Sequence, residues 1–237
     1  MTIFPSVHST NQLLQFLPPN QRQTILKLCQ PFTLDVGKTL IQSNKPIKYV
    51  YFPTSGFISL FATICDERPL EMGLIGNEGM LGATLALGHK NAPIEYVVKG
   101  AGSALSMESI VFQQCMVNSP VFEKLIHNYL YFIMLQSLQT GACNNFHEVQ
   151  KRLPRLLLLI QDRVQSNHFY CTHRLLATML GVRRSAVTIS ASALQQKGFI
   201  RYNRGHIQVT SRQGLMKASC SCYLSAINIY QKTLNTP

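Results

Sequence analysis

The stretch Cys171-Thr-His-Arg-Leu-Leu-Ala-Thr-Met-Leu-Gly-Val-Arg-Arg-Ser-Ala-Val-Thr-Ile-Ser-Ala-Ser-Ala-Leu194 reads as two helices joined by a tight turn. Thr172 is suited to cap a first helix running from His173 to Leu180. Ala177 is small where a second helix must come close. Gly181 supplies the left-handed backbone that the turn demands, and Val182 plugs the corner. Val187, Ala191 and Leu194 then share one face of the second helix at i, i+4, i+7 spacing. A small residue four before the glycine and an apolar residue six after it is the spacing of a helix-turn-helix.

The other face of that second helix carries Arg183, Arg184, Ser185 and Thr188 at or near its start. Arginine there suits bidentate contact with guanine O6 and N7. Ser and Thr suit bases or phosphates, and the helix N-terminus itself favours phosphate. Downstream, Ile200–Tyr202 and His206–Val209 flank Asn203-Arg204-Gly205, the pattern of a hairpin with a basic tip. Arg201, Arg204 and His206 of this wing, and Thr172, are expected to join in contacting DNA. Backbone contacts of the wing hold position without reading sequence.

The charge points the same way. The 237-residue chain carries a net charge of +12. Residues 1–150 balance to zero, whereas the segment from Lys151 onward holds thirteen Lys and Arg against the single acid Asp162. Such asymmetry suggests a neutral module joined to one that meets a polyanion. Double-stranded DNA is the first candidate and an anionic membrane surface the second. Hydrophobic residues at 46% and charged residues at 14% provide for packed cores and exclude a disordered chain. The apolar runs Leu156–Ile160 and Tyr129–Leu135 fall far short of the ~20 residues of a membrane span. The first basic residue is Arg22, so no secretory signal opens the chain and a cytoplasmic location is expected.

Towards the N-terminus the periodicity changes. Residues 11–28 read as two short helices broken at Pro18-Pro19. From Phe32 to about Met107 short β-rich runs recur at Thr39–Ile41, Tyr49–Phe52, Phe57–Ala62, Leu70–Ile75, Tyr96–Lys99 and Ala104–Met107. Glycine-bearing turns separate them, which indicates an antiparallel barrel or roll. After Ser119-Pro120 a stripe of Phe122, Leu125, Ile126, Tyr129, Ile133 and Met134 marks a helix, widened by Leu130, Tyr131, Phe132 and Leu135 until most of its circumference is apolar. Such a helix must be covered on more than one side, by the roll and by a partner, of which a second copy is the simplest. Pro154 is expected near the start of the next helix.

The seven cysteines are odd in number, which argues for reduced thiols. Cys220-x-Cys222 alone does not complete a tetrahedral zinc site; Cys171-x-His173 is the pair that could join it, and no metal is expected. No Fe–S spacing is visible. Nor is there a paired-carboxylate constellation, G-x-S-x-G, H-E-x-x-H or P-loop, and Gly76–Gly82 is not followed by GK[ST]. Neither catalysis nor a cofactor is expected.

From roughly Pro31 to Tyr223 the chain resembles the Crp/Fnr family of bacterial transcription regulators. The resemblance rests on the glycine-punctuated β-runs, Gly76-Asn-Glu-Gly-Met-Leu-Gly82, the long apolar helix, Leu180-Gly-Val-Arg-Arg-Ser-Ala-Val-Thr188 and the wing. It implies an α+β fold: an antiparallel β-roll of the cyclic-nucleotide-binding type within residues 1–118, a dimerisation helix over 119–147 and a winged helix-turn-helix over 148–237. It also implies a homodimer on a near-palindromic site. RNA polymerase is the partner that activation would require, and no residue marks its surface. An effector in the roll stays unidentified. Cyclic AMP or GMP is not expected, because Pro93-Ile94 stands where nucleotide-binding members carry the Arg-Ser or Arg-Thr that clamps the phosphate. Glu78 matches the position that holds ribose in those members; an exposed turn carboxylate is its plainer reading. Ser185-Ala186 replaces the Glu-Thr/Ser common after the recognition arginine, so the preferred half-site should differ from the common one. The competing view is a signal-binding module whose basic winged helix docks on protein.

Overall fold

The computed structural model describes residues 10–62 and 70–235, so Cys65 lies outside the described residues. Two short helices come first, α1 (Gln12–Gln15) and α2 (Pro19–Lys27). Asn11 caps α1 and donates to the carbonyls of Pro53 and Gly79, both at 2.8 Å, which fastens α1 to the roll. Pro19 occupies the first position of α2, where its missing N–H costs nothing.

The roll consists of β1 (Gln30–Leu34), β2 (Thr39–Ile41), β3 (Tyr49–Pro53), β4 (Phe57–Ala62), β5 (Leu70–Ile75), β6 (Glu95–Gly100) and β7 (Gly102–Glu108). All pairings are antiparallel, in two sheets ordered β1-β7-β3 and β2-β6-β4-β5. Leu34, Val50, Phe52, Ile58 and Val98 fill the space between. The expected runs all appear. β1 was not anticipated, because Pro31 obscures it; an edge position tolerates a residue with no N–H.

Next come α3 (Ser109–Asn118) and α4 (Pro120–Phe146), the latter capped by the Ser119 hydroxyl. α4 buries Phe122, Leu125, Ile126, Tyr129 and Phe132 against the roll. The glycines of the 76–82 motif are the seat for this packing. A side chain at Gly79 would collide with the Tyr129 ring, and one at Gly76 with the Arg163 stem. Tyr129 donates to the Met80 carbonyl at 3.1 Å.

The C-terminal half comprises α5 (Val149–Val164), β8 (His168–Tyr170), α6 (His173–Leu180), α7 (Arg184–Gln196), β9 (Ile200–Asn203), β10 (His206–Val209), α8 (Arg212–Ala218) and α9 (Cys222–Leu234). Pro154 lies inside α5 rather than at its start. The bond it forfeits belongs to the Gln150 carbonyl, on an exposed residue in the first turn where water can serve. A second core built on Leu153, Leu157, Leu176, Val187, Leu194 and Tyr223 also takes in Phe57 and Leu74 of the roll. The two halves are therefore packed together. α9, unforeseen from the sequence, lies along α4: Tyr230 packs edge-on against Phe132 at 5.0 Å and donates to the Glu78 carbonyl at 2.7 Å. Part of the α4 surface is thus covered from within the chain.

Candidate DNA interface

α6 begins where the sequence indicates, with the Thr172 hydroxyl accepting from the Leu175 N–H at 3.1 Å. Gly181 is left-handed (φ 63°), and its neighbour Val182 donates back to the Ala177 carbonyl at 3.0 Å. α7 then buries Val187, Ala191 and Leu194 together with Ser190. Its outer face is exposed: Arg184, Ser185 and Thr188 all reach solvent, as does Arg183 at the N-cap. Among the described residues no side chain caps the start of α7 and no acid occupies its first turn; the Ala186 N–H donates to the Arg183 carbonyl at 3.0 Å, which leaves the Arg184 and Ser185 N–H groups for an external anion.

Two side chains on that face were missed. Ile189 is 66% exposed, and Ser192 is exposed one turn beyond Thr188. Counting outward from Val187 would have found them, since both fall on the face opposite the buried stripe. An exposed isoleucine there suits the methyl group of thymine. Thr188 is less free than expected. Its hydroxyl donates to the Arg184 carbonyl at 3.1 Å and lies 3.0 Å from His173 Nδ1.

The wing is a three-stranded sheet ordered β8-β10-β9, one strand more than the sequence indicates. Arg204 and Gly205 form its two-residue tip, both with positive φ (46° and 92°). Arg201, Arg204 and His206 are exposed. Two contacts tie the wing to the helices. The His173 ring stacks on Tyr202 with centroids 4.0 Å apart, and the Tyr202 N–H donates to Gln195 Oε1 at 2.7 Å. Burial, with the Arg184 charge second, holds His173 below the usual imidazole range.

Residues 151–218 match the Crp-like helix-turn-helix domain. The match runs from α5 to the end of α8. Solved structures of Crp/Fnr regulators share the fold of the chain. FixK2 from Bradyrhizobium japonicum superposes with a TM-score of 0.69 at 13% identity, over 81% of this chain and 98% of that one. The c-di-GMP-responsive regulator CLP from Xanthomonas campestris gives 0.63 at 16% identity, over 81% and 99%. A putative Crp/Fnr regulator from Eubacterium rectale gives 0.60 at 16% identity, over 92% and 99%. No curated protein matches the chain in sequence. Among the described residues, no helix is long and apolar enough to cross a membrane.

Glu78 is not an exposed turn carboxylate. It is buried, and its Oε1 accepts from Arg163 of α5 at 2.7 Å. The position that would hold a ribose is therefore engaged by the C-terminal half of the same chain. Beside it, between β5, α4 and α5, lies a cavity of about 110 Å³ lined by Glu71, Glu78, Tyr129, Gln136 and Arg163. That is well below the ~300 Å³ at which ligand pockets begin. Glu71, on β5, is pushed up to about 8 by burial, against the pull of Ser59, Arg163 and Lys99. The cysteines also sort differently from expectation. Cys171 is buried in the C-terminal core, apart from Cys220 and Cys222. Those two meet Cys143 and His147 instead.

Proposed function

We propose that this protein is a DNA-binding transcriptional regulator of the Crp/Fnr type that binds a near-palindromic site as a homodimer, with α7 in the major groove and the wing on the backbone. The observation that carries the base-reading part is the α7 surface. Arg184, Ser185, Ile189 and Ser192 form one exposed stripe on a helix whose other face is fixed in the core. Arg184 is assigned to guanine, Ile189 to a thymine methyl, and Arg201, Arg204 and His206 to phosphates, with Thr172 and Arg183 beside them. Thr188 is assigned to positioning, because its hydroxyl is already engaged.

The dimer reading rests on α4. After α9 and the roll have covered their shares, Tyr131, Met134 and Leu138 remain exposed at i, i+3, i+7 spacing, continued by Gly141. That is the seam of a two-helix coiled coil, with a glycine where close approach helps. Residues 119–147 thus serve as the dimerisation and transmitter helix between a sensor unit (1–118) and a DNA-binding unit (148–237), in a cytoplasmic protein.

The Glu78–Arg163 pair supports a route for control. A ligand acts only by favouring one arrangement over another. One that displaced Arg163 from Glu78 would release α5 from the roll and alter where the winged helix sits. The small cavity argues against a preformed nucleotide site.

The test is selection of bound sequences from random duplex DNA by the purified protein at low and high salt. An enriched palindrome with half-sites about one helical turn apart is the expected result. Binding that is salt-sensitive but blind to sequence would overturn base reading by α7. Retention of no DNA at low salt would favour docking on protein instead. Met134→Glu with Leu138→Glu is expected to yield monomers by sedimentation; an unchanged oligomeric state removes α4 as the interface.

A further inference from the structure

We propose that Cys143, His147, Cys220 and Cys222 bind one zinc ion, which ties the end of α4 to the turn between α8 and α9. Their ligand atoms all lie within 4.8 Å of one another. Cys143 Sγ is 3.6 Å from Cys220 Sγ, and Cys222 Sγ is 3.6 Å from His147 Nδ1. A tetrahedral ion with Zn–S of ~2.3 Å and Zn–N of ~2.0–2.1 Å holds two sulfurs about 3.8 Å apart, and sulfur about 3.6 Å from nitrogen. The side chains therefore stand at the separations the ion requires. Three thiolates and an imidazole make a closed structural zinc set, and such soft ligands select against magnesium and calcium.

The surroundings fit an ion better than they fit apolar filling. Buried thiols alone are ordinary core material. Here, however, a histidine nitrogen faces the thiol cluster. Arg155, itself buried, brings Nη1 to 3.9 Å from Cys143 Sγ while Nη2 donates to Thr140 at 3.3 Å. Zinc with three thiolates carries a net negative charge, and a guanidinium against one sulfur is the partner such a site wants. The ligands come from two places far apart in the chain. Cys143 and His147 stand one turn apart at the end of α4, and Cys220-x-Cys222 opens α9. The Cys220 N–H also donates to the Lys151 carbonyl at 3.2 Å, so α5 meets the same junction. Binding sends the thiol protons to solvent. The bound ion fixes α9 on α4, and with it the seat of the winged helix.

The experiment uses the full chain, prepared under reducing conditions, loaded with Zn(II) and freed of excess. One zinc per chain is expected, and its removal by a chelator should lower the thermal midpoint. Loading with Co(II) should give the intense visible bands of a tetrahedral ion and thiolate charge transfer in the near ultraviolet. The double variant Cys220→Ser, Cys222→Ser is expected to lose both signals, and Cys29→Ser, in the link between α2 and β1, to keep them. His147→Ala replaces a half-buried side chain at the rim; it should retain charge transfer but shift the visible bands. That variant carries the test if the double variant does not fold. The proposal is overturned by a wild-type chain that retains no stoichiometric metal, by the weak spectrum of octahedral Co(II), by an unchanged spectrum in His147→Ala, or by a Cys143–Cys220 disulfide in place of the metal.

Discussion

On α7 and the wing, Arg183, Arg184, Arg201 and Arg204 stand in solvent, whereas on α5 and α8 the arginines turn inward. Arg163 reaches Glu78 and the carbonyls of Leu74 and Leu159, at 2.7, 3.2 and 3.0 Å. Arg212 pairs with Asp162 at 2.7 Å and donates to Gln161, while Tyr223 closes the group by donating to Asp162 at 2.8 Å. Arg152 and Arg155 are buried as well. One residue type thus serves two opposite ends. Where the guanidinium is exposed, its charge is left for a polyanion. Where it is buried, its donors are spent on holding helices to the roll and to each other. The basic excess of the C-terminal half overstates the charge offered to DNA, because several of its arginines are structural.

The sharpest way to break this contrast is Arg163→Ala. It leaves the Glu78 carboxylate buried without its partner, and the expected loss of stability is about 3–5 kcal/mol. Replacing both partners, Arg163→Met with Glu78→Leu, should recover much of that loss, because two charges need no longer be desolvated. Urea unfolding measures both. A cost below about 1 kcal/mol for Arg163→Ala would place Arg163 with the exposed group.

Glu71 supplies the next largest effect, and it depends on pH. Its folded value, pushed up to about 8, lies above the ordinary 4.5, so the folded state holds the proton more tightly. Below the ordinary value the group is protonated in both states and is neutral in effect. As pH rises from 4.5 to 8 only the unfolded chain ionises, so stability falls across that window and levels above it. Glu71→Gln should remove the slope and raise stability by about 2–3 kcal/mol at neutral pH. Unfolding curves between pH 5 and 8, compared with wild type, decide it; parallel curves would mean that Glu71 ionises as usual.

Arg184→Ala should leave stability within about 0.5 kcal/mol of wild type, as an exposed change does. It should cost ~1–3 kcal/mol on the selected site and relax discrimination at one base pair. Equal loss on every sequence would make Arg184 a phosphate contact instead.

The two regions also differ in how far the sequence revealed them. The helix-turn-helix was legible because its signals are local: Thr172, Ala177, Gly181 and the Val187–Ala191–Leu194 stripe lie within a few turns of one another. The roll was legible by its turns for the same reason. The internal polar links were not. Glu78 and Arg163 are far apart in the chain, and nothing near Glu78 announces a buried partner. The same holds for the cysteines. Cys220-x-Cys222 looks incomplete until the fold brings up Cys143 and His147. α9 was overlooked because its apolar face has meaning only once α4 is there to receive it.

The smallest effect tests whether an exposed arginine can be costly to the fold that displays it. Arg204 sits at the first position of a two-residue hairpin turn with φ of 46°, followed by Gly205 at 92°. Positive φ at both positions favours Asn-Gly, and a side chain such as arginine is held there against its preference. Among the described residues no hydrogen bond or ion pair engages the Arg204 side chain to offset that cost. The recovery proposed here is a phosphate contact made by the guanidinium. Arg204→Asn therefore separates the two quantities. Stability should rise by about 0.5–1 kcal/mol as the turn relaxes. Affinity should fall alike on specific and random duplexes, and the slope of log affinity against log salt should shrink by about one unit. If the variant is stabilised with its salt slope unchanged, Arg204 is strained without serving DNA. The contrast between arginines held for a ligand and arginines held for the fold would then stop at the recognition helix and not extend to the wing.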